Sequence, residues 1–210
     1  MRISLFLLFF LGIVSTSVGQ VEYHDLGMEI NEYASLGGLQ VGEEAPEIKA
    51  SLSCGESVNL SEAVKKGDVL LVFYRGYWCP VCNRHLSEMT TEMKALQDRG
   101  IRVVAVSPES HEYIKKTIEQ SNIDFPVISD TDGQIMRDYN VFYTVTNEYQ
   151  ERIQSYLKVD LADVNVQEDA ALPVPATYLI GKDRRIKYAH YDPNYRNRAS
   201  VEDIIATLDQ

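Results

Sequence analysis

Residues 72–86 read Val-Phe-Tyr-Arg-Gly-Tyr-Trp-Cys-Pro-Val-Cys-Asn-Arg-His-Leu, and their reading decides the fold. The stretch begins inside an apolar, β-rich run, residues 69–74 (VLLVFY), which reads as a strand buried on both faces. It ends where Leu86, Met89, Met93 and Leu96 begin to recur at spacings of 3, 4 and 3. That rhythm predicts an amphipathic helix over residues 79–98, stopped by Gly100. A strand therefore runs through a short loop that delivers Cys79 and Cys82 at the start of a helix. Pro80 suits the first helical turn, where its missing N–H costs nothing. The free N–H groups and positive dipole end of the helix favour a thiolate there. Arg75, Arg84 and His85 are expected to add positive charge, lowering a thiol pKa and raising its reactivity. Two intervening residues bring the sulfurs within bridging distance, so the pair can cycle between dithiol and disulfide.

Working outward, residues 101–106 (IRVVAV) and 125–128 read as strands, and 110–120 and 132–139 as helices. An insertion, 144–172, holds a predicted helix over 147–157 and an acidic linker. Residues 177–180 and 186–190 are two strands joined by the turn Gly181-Lys182-Asp183-Arg184-Arg185. Residues 201–208 close the chain as a helix with Ser200 as N-cap. The order β-α-β-α-β, insertion, β-β-α predicts an α/β fold. Its central mixed sheet is parallel in the main, with an antiparallel edge and helices on both faces.

The composition is that of one globular domain: 210 residues, 45% hydrophobic and 24% charged. A formal charge of −11 disfavours nucleic acid and anionic membrane surfaces as partners. Residues 1–19 have a basic start, an apolar core over 3–14 and small residues at Ser17 and Gly19, the pattern of a secretory signal peptide. The apolar core falls short of the ~20 residues that span a bilayer. Cleavage removes Arg2 and takes the formal charge to −12. The expectation is an exported protein, periplasmic or secreted, with no stable membrane association after cleavage. All three cysteines then face an oxidising compartment. The organisation that follows is a signal peptide over 1–19, an arm over 20–38 and one domain over 39–210.

Three bland readings compete for the cysteine pair: a zinc site, a purely structural disulfide and a redox-inactive relic. Zinc needs four ligands, and His24, His85, His111 and His190 are scattered with no second Cys-x-x-Cys. A purely structural disulfide closes too small a loop to constrain the unfolded chain much. Cys54 is left over in a turn, Ser53-Cys54-Gly55, and reads as a bystander. The tyrosines at 139, 143, 149 and 156 read as core or helix-face packing. Asp130-Thr131-Asp132-Gly133 reads as a turn, since it lacks the later ligands of a calcium loop.

Trp78-Cys79-Pro80-Val81-Cys82 resembles the redox centre of the thioredoxin superfamily. A longer resemblance, over roughly residues 39–210, is to the peroxiredoxins of the alkyl hydroperoxide reductase/thiol-specific antioxidant family. It is carried by residues 41–46 (VGEEAP), 58–62 (VNLSE), 69–74, 172–180 (LPVPATYLI) and the helix containing Asp203-Ile204-Ile205. The resemblance implies a thioredoxin-like fold and a thiol-dependent oxidoreductase with antioxidant activity. Aligned without gaps from Phe73-Tyr74, Cys82 falls on the peroxidatic cysteine. Cys79 and Arg75 stand where that family has Thr and Pro. Pro175 stands where it has an activating Arg, and Val174-Pro175 looks like the cis-proline of thioredoxins. Arg75 is the candidate to replace the missing Arg.

The leading expectation is a thiol peroxidase. Cys82 attacks a hydroperoxide, Cys79 condenses with the sulfenic acid, and an external thioredoxin-type dithiol donor restores the pair, with no bound cofactor. The alternative is exchange on protein disulfides, with an exposed Cys79 as nucleophile. A third reading, copper held by the two cysteines and a histidine as in some thioredoxin-fold chaperones, rests on His85 or His190.

Overall fold

In a computed structural model of the chain, which describes residues 23–29, 34–166 and 170–209, a 3-10 turn at Tyr23–Leu26 leads into β1 (Met28–Glu29). A hairpin of β2 (Lys49–Ser51) and β3 (Ser57–Asn59) follows, with Cys54 exposed in its turn. The short helix α1 (Leu60–Ala63) comes next, capped by the Asn59 side chain on the Glu62 N–H. Then come β4 (Val69–Phe73), α2 (Pro80–Thr91), α3 (Met93–Gln97), β5 (Arg102–Ser107), α4 (His111–Ser121), β6 (Val127–Ser129) and α5 (Gln134–Asp138). The inserted region supplies β7 (Phe142–Val145), α6 (Asn147–Leu157), α7 (Leu161–Asn165) and β8 (Ala171–Pro173). The chain closes with β9 (Ala176–Ile180), β10 (Ile186–Tyr191) and α8 (Val201–Leu208).

The central sheet has the order β10-β9-β4-β5-β6, with helices on both faces. Strands β4, β5 and β6 are parallel, while β9 runs antiparallel to both β4 and β10. The expected mixed sheet with a hairpin edge is thus present. All five residues of β4 are buried, as are all five of β9. An unbroken apolar run suits them because each lies between two strands and under helices. The helix boundaries at 147–157 and 201–208, and the Ser200 cap on Asp203 N–H, coincide with the sequence expectation.

Elsewhere the structure differs. The helix expected over 79–98 breaks at Glu92 (φ −96°, ψ 5°), where α2 gives way to α3. Its apolar stripe survives the break, since Leu86, Met89, Met93 and Leu96 are all buried. The acidic linker contains α7, capped by the Asp160 carboxylate on the Ala162 N–H at 2.9 Å. A second sheet, β1-β7-β8, ties the arm to the insertion. The Asp130 turn is a cap for α5: its carboxylate accepts from Ile135 N (3.0 Å) and Met136 N (2.8 Å). The Val174–Pro175 bond is trans, because no cis peptide occurs among the described residues. Val174 N–H donates to Val141 O at 2.7 Å, which seats the segment between β8 and β9. The expected signal peptide, residues 1–19, lies outside the described residues.

Candidate active site

Strand β4 ends at Phe73, and the loop from Tyr74 carries the chain to α2. Gly76 sits at φ +147°, and a Cβ there would come within 2.6 Å of Trp78 Nε1, so only glycine lets the loop fold back over the indole. Glu109, fully buried at the end of β5, braces the same loop by accepting from Tyr77 N at 2.7 Å. Its other oxygen accepts from Ser107 Oγ and Thr117 Oγ1, both at 3.0 Å. Burial pushes this carboxyl upward in pKa, against the pull of those donors.

Pro80 occupies the first turn of α2 and Cys79 is its N-cap. Cys79 and Cys82 are joined as a disulfide, with Cα atoms 5.3 Å apart. Cys79 Sγ accepts from Cys82 N at 3.3 Å and from Arg75 Nη2 at 3.1 Å. Cys82 Sγ accepts from Arg198 Nη2 at 3.3 Å. Both cysteines have no accessible surface, so the exposed Cys79 of the disulfide-exchange reading is not what the fold presents.

Arg75 is itself buried, with 3% of its surface exposed. Its guanidinium lies 3.7 Å above the Tyr195 ring and 5.1 Å from the Trp78 ring, and its Nη1 donates to the Tyr149 hydroxyl at 2.7 Å. Tyr143 is also buried, and burial drives its phenol far above the ordinary range, with the charge of Arg75 pulling the other way. Arg198 is held down to about 9, first by burial and then by repulsion from Arg75, with Tyr143 opposing. Among the described residues no carboxylate forms an ion pair or hydrogen bond with either guanidinium. His85, one turn beyond Cys82, is not a source of charge. Burial first, then Arg198, lowers its pKa to about 4, so it is neutral at pH 7. Its Nε2 meets the Ala199 carbonyl at 3.0 Å, which makes Nε2 the protonated nitrogen and pins the chain beside Arg198. Arg84 points outward and is exposed.

Of the residues expected at the site, Cys79, Cys82, Arg75, Trp78 and Pro80 are brought together. Val174 and Pro175 are buried nearby in sequence to β9, without the cis bond that motivated them. Arg198, Tyr195, Tyr149 and Tyr143 were missed. Two of these, Tyr143 and Tyr149, had been read as packing. Tyr139 is packing, its ring tilted at 5.4 Å from that of Phe73, and Tyr156 is exposed. No three of His, Cys, Asp and Glu cluster as metal ligands among the described residues.

Comparison with known proteins fits this geometry. A thiol-disulfide oxidoreductase, ResA of Bacillus subtilis, is 30% identical over 110 residues. These are 52% of this chain and 60% of that protein, so the likeness spans less than two thirds of it. The 1-Cys peroxiredoxin PER1 of Triticum aestivum is 22% identical over 179 residues, covering 82% of this chain and 72% of that one. In fold, the chain is similar to the peroxidoxin BcpB of Mycobacterium tuberculosis, with a TM-score of 0.62 at 17% identity, covering 81% of this chain and 97% of that one. The family model for AhpC/TSA matches residues 41–189, and the chain belongs to the AhpC/TSA family.

Proposed function

We propose that the protein is a thiol-dependent oxidoreductase that reduces hydroperoxides through the Cys79–Cys82 couple. The observation that carries this reading is the burial of both sulfurs, each against a guanidinium. A small peroxide needs only a narrow path to such a sulfur, whereas a folded protein, whether it brings a disulfide or a dithiol, reaches the couple only once the segment over Cys79 opens. Arg75 takes the part of the activating arginine absent at Pro175.

The hydrogen bonds divide the two sulfurs differently from a gap-free alignment. Cys79 Sγ has two donors and the N-terminus of a 12-residue helix, and Cys82 Sγ has one donor. Cys79 is accordingly the better-stabilised thiolate. Its sulfur attacks one peroxide oxygen, the O–O bond breaks, and the alkoxide or hydroxide leaves with a proton from water. The resulting sulfenic acid condenses with the Cys82 thiol, releasing water and forming the disulfide. An external dithiol donor reduces it. Rapid mixing of reduced variants with hydrogen peroxide tests this. Cys82→Ser is expected to give one burst and then stall, and Cys79→Ser to give none. The reverse pattern returns the attack to Cys82, and unchanged turnover in both variants overturns the mechanism.

Exchange on protein disulfides is the second reading, favoured by the ResA likeness. It lacks a cis-proline and an exposed nucleophile here. Export is part of the proposal and rests on residues 1–19 alone. N-terminal sequencing of chain recovered outside the cytoplasm, beginning near residue 20, supports it.

A further inference from the structure

Arg198 has no place in the sequence motif, yet its guanidinium lies on the second sulfur of the couple. Nη2 is 3.3 Å from Cys82 Sγ. The Arg198 Nε and the Arg75 Nε are both buried without a hydrogen-bond partner. Two guanidinium groups thus face one disulfide, and no carboxylate among the described residues balances either. A neutral disulfide leaves both positive charges uncompensated. Reduction places negative charge on sulfur beside them and so compensates part of that charge.

We propose that Arg198 is a catalytic residue of the reductive half-cycle, stabilising Cys82 as leaving thiolate and, with Arg75, making the couple an oxidising one. The proposal rests on the reading that Cys79–Cys82 is the redox couple. A dithiol donor, ionised at one sulfur, attacks Cys79 Sγ. A donor–Cys79 bond forms, the Cys79–Cys82 bond breaks, and its electron pair departs on Cys82 Sγ beside Arg198. The donor's second sulfur then attacks the mixed disulfide, and Cys79 departs as thiolate beside Arg75. The donor loses two electrons and two protons. The couple gains both electrons and keeps one proton, shared between its two sulfurs so that each guanidinium faces partial thiolate charge, and the other proton goes to solvent. A lower leaving-group pKa speeds the first step, and stabilising the reduced form raises the potential.

The chain has a single tryptophan, Trp78, adjacent to Cys79, so intrinsic fluorescence reports the redox state. The full chain is equilibrated in glutathione buffers of graded ratio, and its reduction by dithiothreitol is timed. Arg198→Met is expected to shift the equilibrium at least tenfold towards disulfide, about 30 mV, and to slow reduction by a similar factor. Arg198→Lys, which keeps the charge, recovers part of both, and Arg196→Ala, on the exposed part of the same segment, changes neither. A shift of less than twofold in Arg198→Met overturns the proposal. Should that variant not fold, Cys82 is titrated alone in C54S/C79S by ultraviolet thiolate absorbance. Ionisation at least one unit below the ordinary thiol value of ~8.5 supports the proposal, and ionisation at or above that value overturns it. None of these measurements uses peroxide. A chain that fails to consume hydrogen peroxide but shows the Arg198 shift loses the peroxidase reading and keeps this one.

Discussion

Arg75 is fixed from three sides, by Tyr149, Tyr195 and Trp78, and that fixing decides what its removal does. Arg75→Met keeps an unbranched apolar stem but loses the guanidinium, and with it the donors to Cys79 Sγ and Tyr149 and the stacking on Tyr195 and Trp78. The second-order rate of peroxide consumption is expected to fall at least tenfold. An unchanged rate removes Arg75 from the chemistry. His85 allows a separate test through stability. Its folded pKa, about 4, lies below the ordinary value of 6.5, so between them the unfolded chain binds the extra proton. Stability from this group is full above pH 6.5 and is lost as pH falls towards 4. Asp130, raised to about 6 by burial, acts in the opposite sense in the same range, so only a difference isolates the histidine. From pH 7 to 5, wild type is expected to lose about 2 kcal/mol more than His85→Gln in urea unfolding. At this scale the sequence reveals Arg75, because it lies four residues ahead of the Cys-x-x-Cys motif. It does not reveal Arg198, which reaches Cys82 Sγ, or Tyr195 and Tyr149, which reach Arg75, all from 70 to 120 residues away through the fold. Their surroundings in sequence carry no spacing that marks them. The error over His85 has a simple source: a charge assigned from residue type ignores the burial that neutralises it.

Helix α2 carries both cysteines and packs its opposite end into the core through Leu86 and Met89. Leu86→Ala removes a fully buried side chain and is expected to cost 2–5 kcal/mol by urea unfolding. Helix α6 acts on the site at one remove. The Thr146 hydroxyl caps it by accepting from Tyr149 N at 3.3 Å, and the Tyr149 hydroxyl holds Arg75. Thr146→Ala is expected to cost about 1 kcal/mol. It is also expected to lower the peroxide rate severalfold by loosening the arginine. A loss of stability with no change in rate separates the cap from the site. Long elements with a clear period, α2, α4, α6 and α8, were legible because their apolar faces repeat. Strands β1, β7 and β8 were not. At two to four residues each they are too short for alternation to register, and pairing with distant chain is what makes them strands.

The whole molecule is acidic, with a formal charge of −11, while its redox centre is lined by two cations, the buried Arg75 and the half-buried Arg198. Hydrogen peroxide is neutral and does not feel the outer charge. A protein donor does. The rate of reduction by an electron donor with a basic docking face is expected to fall as salt rises from 0.05 to 0.5 M, on the order of tenfold, by loss of electrostatic steering. The peroxide rate is expected to stay constant over the same series. Parallel behaviour of the two rates counts against donor steering. The overall architecture was readable early, since a buried strand feeding a Cys-x-x-Cys helix admits few folds. The enclosure of the sulfurs was not, because burial of an N-cap depends on what the segment around Tyr195–Arg198 lays over it.

Gly27 shows how far that enclosure extends. It sits at φ +79° against the Tyr149 ring, and a Cβ there would fall 2.2 Å from the ring. The residues just ahead of β1 are therefore part of a lever: arm on tyrosine, tyrosine on arginine, arginine on sulfur. A side chain at residue 27 would displace the Tyr149 ring and, through it, the arginine that holds the sulfur.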